Sequence, residues 1–303
     1  MTRRRFHLAG LAAAAWLAGC QTTTPPRAPA EPVAPPPPLV APAVPKPPRI
    51  GLALGGGAAR GFAHIGVIQV LEEQGIRPQL VAGTSAGSLV AALYAAGRSG
   101  QELAAMAQTM DESALTDWSF PGRGMIRGEA LAKYVRAQTG GISIEQMKLP
   151  LGIVATDLAD GQPILFQRGD VGSAVRASSA VPAVFQPVKI GGREYVDGGL
   201  VAPVPVRYAR QMGADLVVAV DISSPPDGGA TGDAVHVLLQ TFAIMGRSIN
   251  RLELKDADVV IRPALVGVAS ADFTARMKAI QSGREAAQAM LPALRAKIAA
   301  LTR

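Results

Sequence analysis

Ser85 is the residue best placed to do chemistry. It sits in Gly83-Thr84-Ser85-Ala86-Gly87, after the apolar stretch Leu80-Val81-Ala82 and before the helix-like run Ser88-Leu89-Val90-Ala91-Ala92-Leu93. Strand, sharp turn and helix in that order project a serine hydroxyl away from the backbone and put the positive end of a helix behind it. Gly83 and Gly87 suit such a turn because a side chain at either would crowd it. The chemistry this predicts is attack on a carbonyl carbon through a covalent intermediate. An oxyanion formed there needs hydrogen-bond donors. Gly55-Gly56-Gly57-Ala58-Ala59-Arg60-Gly61 can supply them, since successive glycines let backbone N–H groups converge on one spot. The same loop is a poor dinucleotide fingerprint, because Arg60 stands where Gly or Ala is wanted, and no Gly-Lys-Ser/Thr follows to make it a phosphate loop.

Serine also needs a base. The histidines are His7, His64 and His236. His7 belongs to an N-terminal targeting segment, and His64 lies one turn into a helix, where packing is the plainer role. Ser85, Asp197 and His236 follow the α/β-hydrolase order of nucleophile, acid and histidine. His236, however, falls within a helix candidate with an apolar stripe at Val235, Leu238, Leu239 and Phe242. Too few strands precede Ser85 for that fold. Asp197 is the better partner. Glu194-Tyr195-Val196-Asp197-Gly198-Gly199 ends a short strand in a carboxylate before two glycines. Buried beside Ser85, that carboxylate would become a stronger base. Asp-Gly is equally a common hairpin dipeptide.

The elements that must position these groups alternate. Continuous apolar runs predict strands at 50–54, 80–82, 151–155, 163–166, 216–220 and 259–261. Helices are expected at 63–74, 88–96, 129–137, 204–212, 234–254 and 273–300, with a loop over 110–125. This rhythm predicts an open α/β sheet with helices on both faces. Both glycine-rich turns then lie at carboxyl ends of neighbouring strands, where sites form in such sheets.

Together the blocks Gly55–Gly61, Gly83–Gly87 and Asp197-Gly198-Gly199 resemble the patatin-like phospholipase family, and Ala177-Ser178-Ser179-Ala180-Val181-Pro182 looks like a fourth block of it. The resemblance spans about residues 49–219. It implies a three-layer α/β/α fold with a mostly parallel central sheet. It also implies a Ser–Asp dyad acting on acyl esters of lipids with no metal or organic cofactor. Carried onto this chain, Ser85 is the nucleophile and Asp197 the base. Gly55, Gly56, Gly57 and Gly61 form the oxyanion loop, with Gly56 and Gly57 as donors, and Arg60 orients that loop or adds positive charge. One departure is visible: Ala58 stands at the middle glycine of G-x-G-x-x-G laid over 56–61. It matters only if φ is positive there. Two other readings of the scaffold are a non-catalytic envelope protein that binds lipid or protein, and an acyltransferase using the same dyad.

The remainder of the 303 residues sets the context. Half the chain is hydrophobic (49%) but only 4% is aromatic, so the core is aliphatic. The formal net charge of +7 falls to +4 without Arg3, Arg4 and Arg5, and no dense basic run with interleaved aromatics supports nucleic-acid binding. Those arginines, the apolar Leu8–Ala18 and Leu17-Ala18-Gly19-Cys20 resemble a lipoprotein signal over 1–19 with Cys20 as the lipidated residue. Thr2-Arg3-Arg4-Arg5-Phe6 also resembles a twin-arginine signal. Cys20 is the chain's single cysteine, so no intrachain disulfide can form. Up to Pro48 follows a linker holding 12 of the 24 prolines, a segment suited to polyproline II and a reach of roughly 85 Å. The folded domain is then 49–303. It is expected to be membrane-anchored and extracytoplasmic, on the periplasmic face of an outer membrane since no acid follows Cys20. Trp118, Phe120 and Met125 are candidates for a lid or an aromatic-anchored loop.

Overall fold

The computed structural model describes residues 45–111, 117–118, 123–223, 232–269 and 271–303. The expected signal over 1–19, Cys20, the linker up to residue 44, and Phe120 lie outside the described residues. In chain order the strands are β1 Ile50–Leu54, β2 Leu80–Thr84, β3 Gly124–Ile126, β4 Leu151–Asp157, β5 Pro163–Phe166, β6 Ala183–Phe185, β7 Val188–Ile190, β8 Arg193–Asp197, β9 Leu216–Val220 and β10 Val259–Ile261. The α-helices are α1 Phe62–Glu73, α2 Ala86–Ala95, α3 Gly100–Thr109, α4 Glu129–Gln138, α5 Val171–Ser178, α6 Val206–Gln211, α7 Ala234–Glu253 and α8 Arg276–Leu301.

The main sheet has the order β10-β9-β1-β2-β4-β8-β7, with β5 on β4 as well. From β10 to β4 every pairing is parallel. β5, β8 and β7 add an antiparallel wing. β1, β2, β4 and β9 are buried along their whole length, as strands covered on both faces must be. Their side chains divide by strand alternation. Leu52, Leu54, Val81, Ile153, Val218 and Val220 join the core formed with α1, α2, α3 and α8. Ala53, Leu80, Ala82, Val154, Val217 and Ala219 join the core formed with α6. The result is the expected three layers.

One detail of register positions the chemistry. Residues 151–154 of β4 pair with Val81–Thr84, and residues 155–157 pair with Asp197–Tyr195 running the opposite way. β5 pairs with residues 153–156, overlapping both sets, so it must occupy the other edge of β4. The carboxyl ends of β2 and β8 therefore meet head to head, opposite the adjacent residues Val154 and Ala155.

Some expectations shift. α3 and α5 were not expected, although a Ser99/Glu102 capping box opens the first and an Asp170 N-cap the second. The helix expected from Val204 starts at Val206, with Pro205 at its N-cap. The one expected from Phe273 begins as a 3₁₀ turn, Phe273–Ala275, and becomes α8 at Arg276. The loop over 110–125 gives way at Gly124 to β3, which pairs with β6 in a small second sheet.

α8 backs α1 at very close range. A Cβ on Gly66 would lie 1.9 Å from the Ile280 carbonyl oxygen, and one on Gly283 would lie 2.0 Å from that of Ala63. Because neither backbone can yield without moving a helix, Gly283→Ala is expected to cost about 1–3 kcal/mol. Urea unfolding measures this, and an unchanged midpoint would show that the helices are not in contact there.

Candidate active site

Ser85 occupies the turn between β2 and α2 with φ +53° and ψ −125°, a conformation rare for a residue with a Cβ. Such strain costs on the order of 1–3 kcal/mol and persists only where neighbours enforce it. They do so here on both sides of the residue. The Ser85 N–H donates to Ser178 Oγ at 2.8 Å, and the Ser178 hydroxyl donates to the Val154 carbonyl at 2.6 Å. The Ser85 carbonyl accepts from the Ser88 hydroxyl at 2.6 Å and from the Ser88 N–H at 2.8 Å. The flanking glycines allow the close approach. A Cβ on Gly83 would stand 2.5 Å from the Gly87 carbonyl oxygen, and one on Gly87 would stand 2.2 Å from that of Leu54.

Asp197 ends β8 and reaches Ser85 directly. The Ser85 hydroxyl donates to Asp197 Oδ2 at 2.7 Å. Asp197 Oδ1 accepts the Gly199 N–H at 2.7 Å, while the residue's carbonyl accepts from the Thr156 hydroxyl at 2.8 Å. Its own N–H donates to the Ala180 carbonyl at 3.0 Å. Only 7% of the residue is exposed. Burial pushes its pKa up to about 6, against the opposing pull of the Ser85 and Gly199 hydrogen bonds. Gly198 lets the chain fold back across β4, since a Cβ there would meet the Val154 oxygen at 2.2 Å.

The two histidines among the described residues do not join this pair. His64 is fully buried on α1, donates Nε2–H to the Gly55 carbonyl at 2.8 Å, and leaves Nδ1 without a partner. Burial lowers its pKa to about 4, so it is neutral at pH 7 and acts as a strut under the glycine loop. His236 is exposed in the first turn of α7, its Nδ1 at 2.8 Å from Oδ2 of the capping Asp233. The chain order Ser85, Asp197, His236 is not a triad.

The glycine loop requires a correction. The Gly55 N–H donates to the Val220 carbonyl at 3.1 Å and the Gly56 N–H to the Pro203 carbonyl at 2.9 Å. Those two amides are committed to holding the loop and are not free to meet an oxyanion. Gly56 instead gives room, because a Cβ there would press on Ser85 Cβ at 3.1 Å. Among the described residues, the N–H groups of Gly57 and Ala58 make no hydrogen bond. Arg60 is buried and its Nε donates to the Gly57 carbonyl at 3.5 Å, in keeping with a role in orienting the loop. Gly61 sits where a Cβ would strike Ala86 at 2.8 Å. Ala58 has φ +50°, so the departure at this position falls where a glycine would relax the backbone by about 1–2 kcal/mol.

Ser178 is the residue whose part was missed. It was visible only as part of the 177–182 block, and nothing in the spacing shows that its hydroxyl braces Ser85. Trp118 is exposed and bridges to Ile126, and Met125 is half-buried in β3.

Comparison with known proteins gives four findings. The profile of the family described as patatin-like phospholipase matches residues 52–210, just over half of the chain. An uncharacterized NTE family protein of Mycobacterium tuberculosis is 39% identical over 207 residues, which cover 67% of this chain and 57% of the relative, so the chain spans little more than half that relative's length. Patatin-like phospholipase domain-containing protein 6 of Mus musculus is 35% identical over 183 residues, covering 58% of this chain and 14% of that protein. Among solved structures, VipD from Legionella pneumophila superposes with a TM-score of 0.56 at 16% identity, over 81% of this chain and 67% of that one, a likeness of fold.

Asp197 also makes a stability statement. Its folded-state pKa of about 6 lies above the ordinary 3.8, so the folded state binds its proton more tightly than the unfolded chain does. The resulting stabilisation is full below about pH 4 and is lost as pH rises through 6. Asp197→Asn is therefore expected to raise stability at pH 8 by about 1–3 kcal/mol, with the gain disappearing near pH 4. Denaturant titrations at the two pH values check this, and an equal difference at both would refute a buried charge.

Proposed function

The chain belongs to the patatin-like phospholipase family, and we propose that it is a serine acyl hydrolase cleaving carboxylic esters of lipids with Ser85 and Asp197 alone. The observation that carries this is the 2.7 Å hydrogen bond from the Ser85 hydroxyl to a buried carboxylate, with no imidazole among the described residues bonded to either. Ser85 Oγ attacks the ester carbonyl and its proton passes to Asp197 Oδ2. The tetrahedral oxyanion is met by the free Gly57 and Ala58 amides, which directly follow the residue abutting Ser85 Cβ. The intermediate collapses to an acyl-enzyme as Asp197 returns the proton to the departing alcohol. Water then attacks with Asp197 again as base, releasing the acid and restoring Ser85. A pKa near 6 leaves Asp197 ionised at neutral pH yet better matched to a hydroxyl than an exposed aspartate is.

Residues 1–48 support the reading of an exported, lipid-anchored enzyme: a basic and apolar signal, Cys20 as acylation site and a proline-rich stalk. This arrangement holds the domain in the cell envelope near its substrate. Replacing Cys20 by Ser is expected to move the protein from the membrane to the soluble fraction. Equal partition of both forms would remove the anchor.

Ser85→Ala is expected to abolish hydrolysis of a p-nitrophenyl ester together with fluorophosphonate labelling. Activity that survives this change would place the nucleophile elsewhere. Because Asp197 must be ionised to accept the proton, kcat/KM should rise with pH, about tenfold per unit below 6, and level off above it. A profile flat from pH 5 to 8 would exclude Asp197 as the base.

A further inference from the structure

α7 has two faces, and only one belongs to the domain. Val235, Leu238, Phe242 and Ile249 turn inward, and Gly246 comes within reach of Pro203, where a Cβ would stand 3.5 Å from the ring. On the outer face Val237, Ile244, Met245 and Leu252 recur at i, i+7, i+8 and i+15, one stripe about 22 Å long. Each is between 48% and 66% exposed. Four large apolar side chains in a continuous exposed row mark an interaction surface rather than ordinary surface scatter.

Beside that stripe lies a cavity of about 530 Å³. Arg247 and Arg251 of α7, Lys255 just beyond it and Arg262 after β10 contribute four cations to its wall. The acid there, Asp221, is already used: Oδ1 accepts the Ser223 N–H and hydroxyl, and Oδ2 pairs with Arg262. Arg247, Arg251 and Lys255 form no ion pair among the described residues. Asn250, also on the wall, is 4% exposed, and neither Nδ2 nor Oδ1 meets a partner. A cationic hollow with an unsatisfied buried amide suits an oxyanion with several acceptor oxygens. The cavity adjoins the glycine loop through Ile222, which lies between Asp221 and Ser223 and touches Gly57.

We propose that α7 and this cavity form a binding site for an anionic phospholipid in a bilayer, separate from Ser85. The phosphate enters the cavity onto Arg247, Arg251, Lys255 and Arg262. The Val237–Leu252 stripe lies in the interfacial layer of the same leaflet. Charge complementarity selects this occupant, because cations and exposed apolar side chains occupy adjoining sectors of one helix, as in helices that lie on anionic membranes. No helix among the described residues is long and apolar enough to span a bilayer. The site places the loop beside Ser85 close to a lipid headgroup, and its binding does not depend on ester cleavage.

The test uses the full chain carrying Ser85→Ala, so that catalysis plays no part. Flotation with vesicles of phosphatidylcholine, with and without one-third phosphatidylglycerol, cancels any contribution of the N-terminal anchor. Binding should favour the anionic vesicles, weaken with added salt, and fall about thirtyfold in Arg247→Glu/Arg251→Glu. Val237→Ser/Ile244→Ser should weaken binding to both vesicles. Circular dichroism melts confirm that these surface variants fold. Equal binding to both vesicles, or an unaffected arginine variant, overturns the proposal. So does calorimetric binding of inorganic phosphate without anionic-vesicle preference, which would make the cavity a free-anion site. A dimer dispersed by Val237→Ser/Ile244→Ser in protein that ignores vesicles would assign the stripe to a second copy and overturn it equally.

Discussion

Taking a carboxylate out of water carries a penalty that only charge or hydrogen bonds can offset. Among the described residues Asp197 meets that penalty with one hydroxyl and one amide, from Ser85 and Gly199, and with no cation. The surroundings follow from keeping it there. The strands that bring the two groups together are buried throughout or at their carboxyl ends, so the site is assembled on the most rigid part of the molecule. The same burial that weakens the fold at neutral pH raises the basicity of the carboxylate that accepts the Ser85 hydroxyl.

Short hydroxyl side chains tie this region together. Thr84 donates to the Ala202 carbonyl, Ser88 to that of Ser85, Thr156 to that of Asp197 and Ser178 to that of Val154. Each adds a hydrogen bond to a backbone oxygen in a low-dielectric interior where the chain bends. None adds charge beside Asp197. Two residues with side chains, Ala58 and Ser85, hold positive φ within this frame, on the two turns that face each other across the site. Backbone strain is thus concentrated where the glycine loop and the serine turn leave the sheet.

Much of this could be read from the residues. β1, β2, β4 and β9 are apolar runs suited to buried strands, and the order of glycine loop, serine turn and Asp-Gly-Gly sets Ser85 and Asp197 apart in the sequence. What could not be read depends on distant partners. Which loop amides are free was decided by Val220 and Pro203 carbonyls that lie far along the chain. Three-residue strands such as β3, β6 and β7 carry too little pattern to declare themselves, because pairing and not propensity forms them. α7 is expected from Val235, Leu238, Leu239 and Phe242, of which Leu239 is exposed. The outer stripe is invisible without burial, since a sequence does not say which apolar side of a helix finds a neighbour.

The head-to-head meeting of β2 and β8 has a consequence for how this chain tolerates change. Ser85 and Asp197 are 112 residues apart, yet Asp197 and Thr84, the residue before Ser85, sit opposite consecutive residues of β4. β4 acts as a ruler: the spacing of the hydrogen-bonded pair is set by its ladder and is indifferent to how much chain runs between them. Insertions in the surface connections can accumulate without separating hydroxyl from carboxylate. A single residue lost inside β4 would instead turn one partner to the opposite face of the sheet.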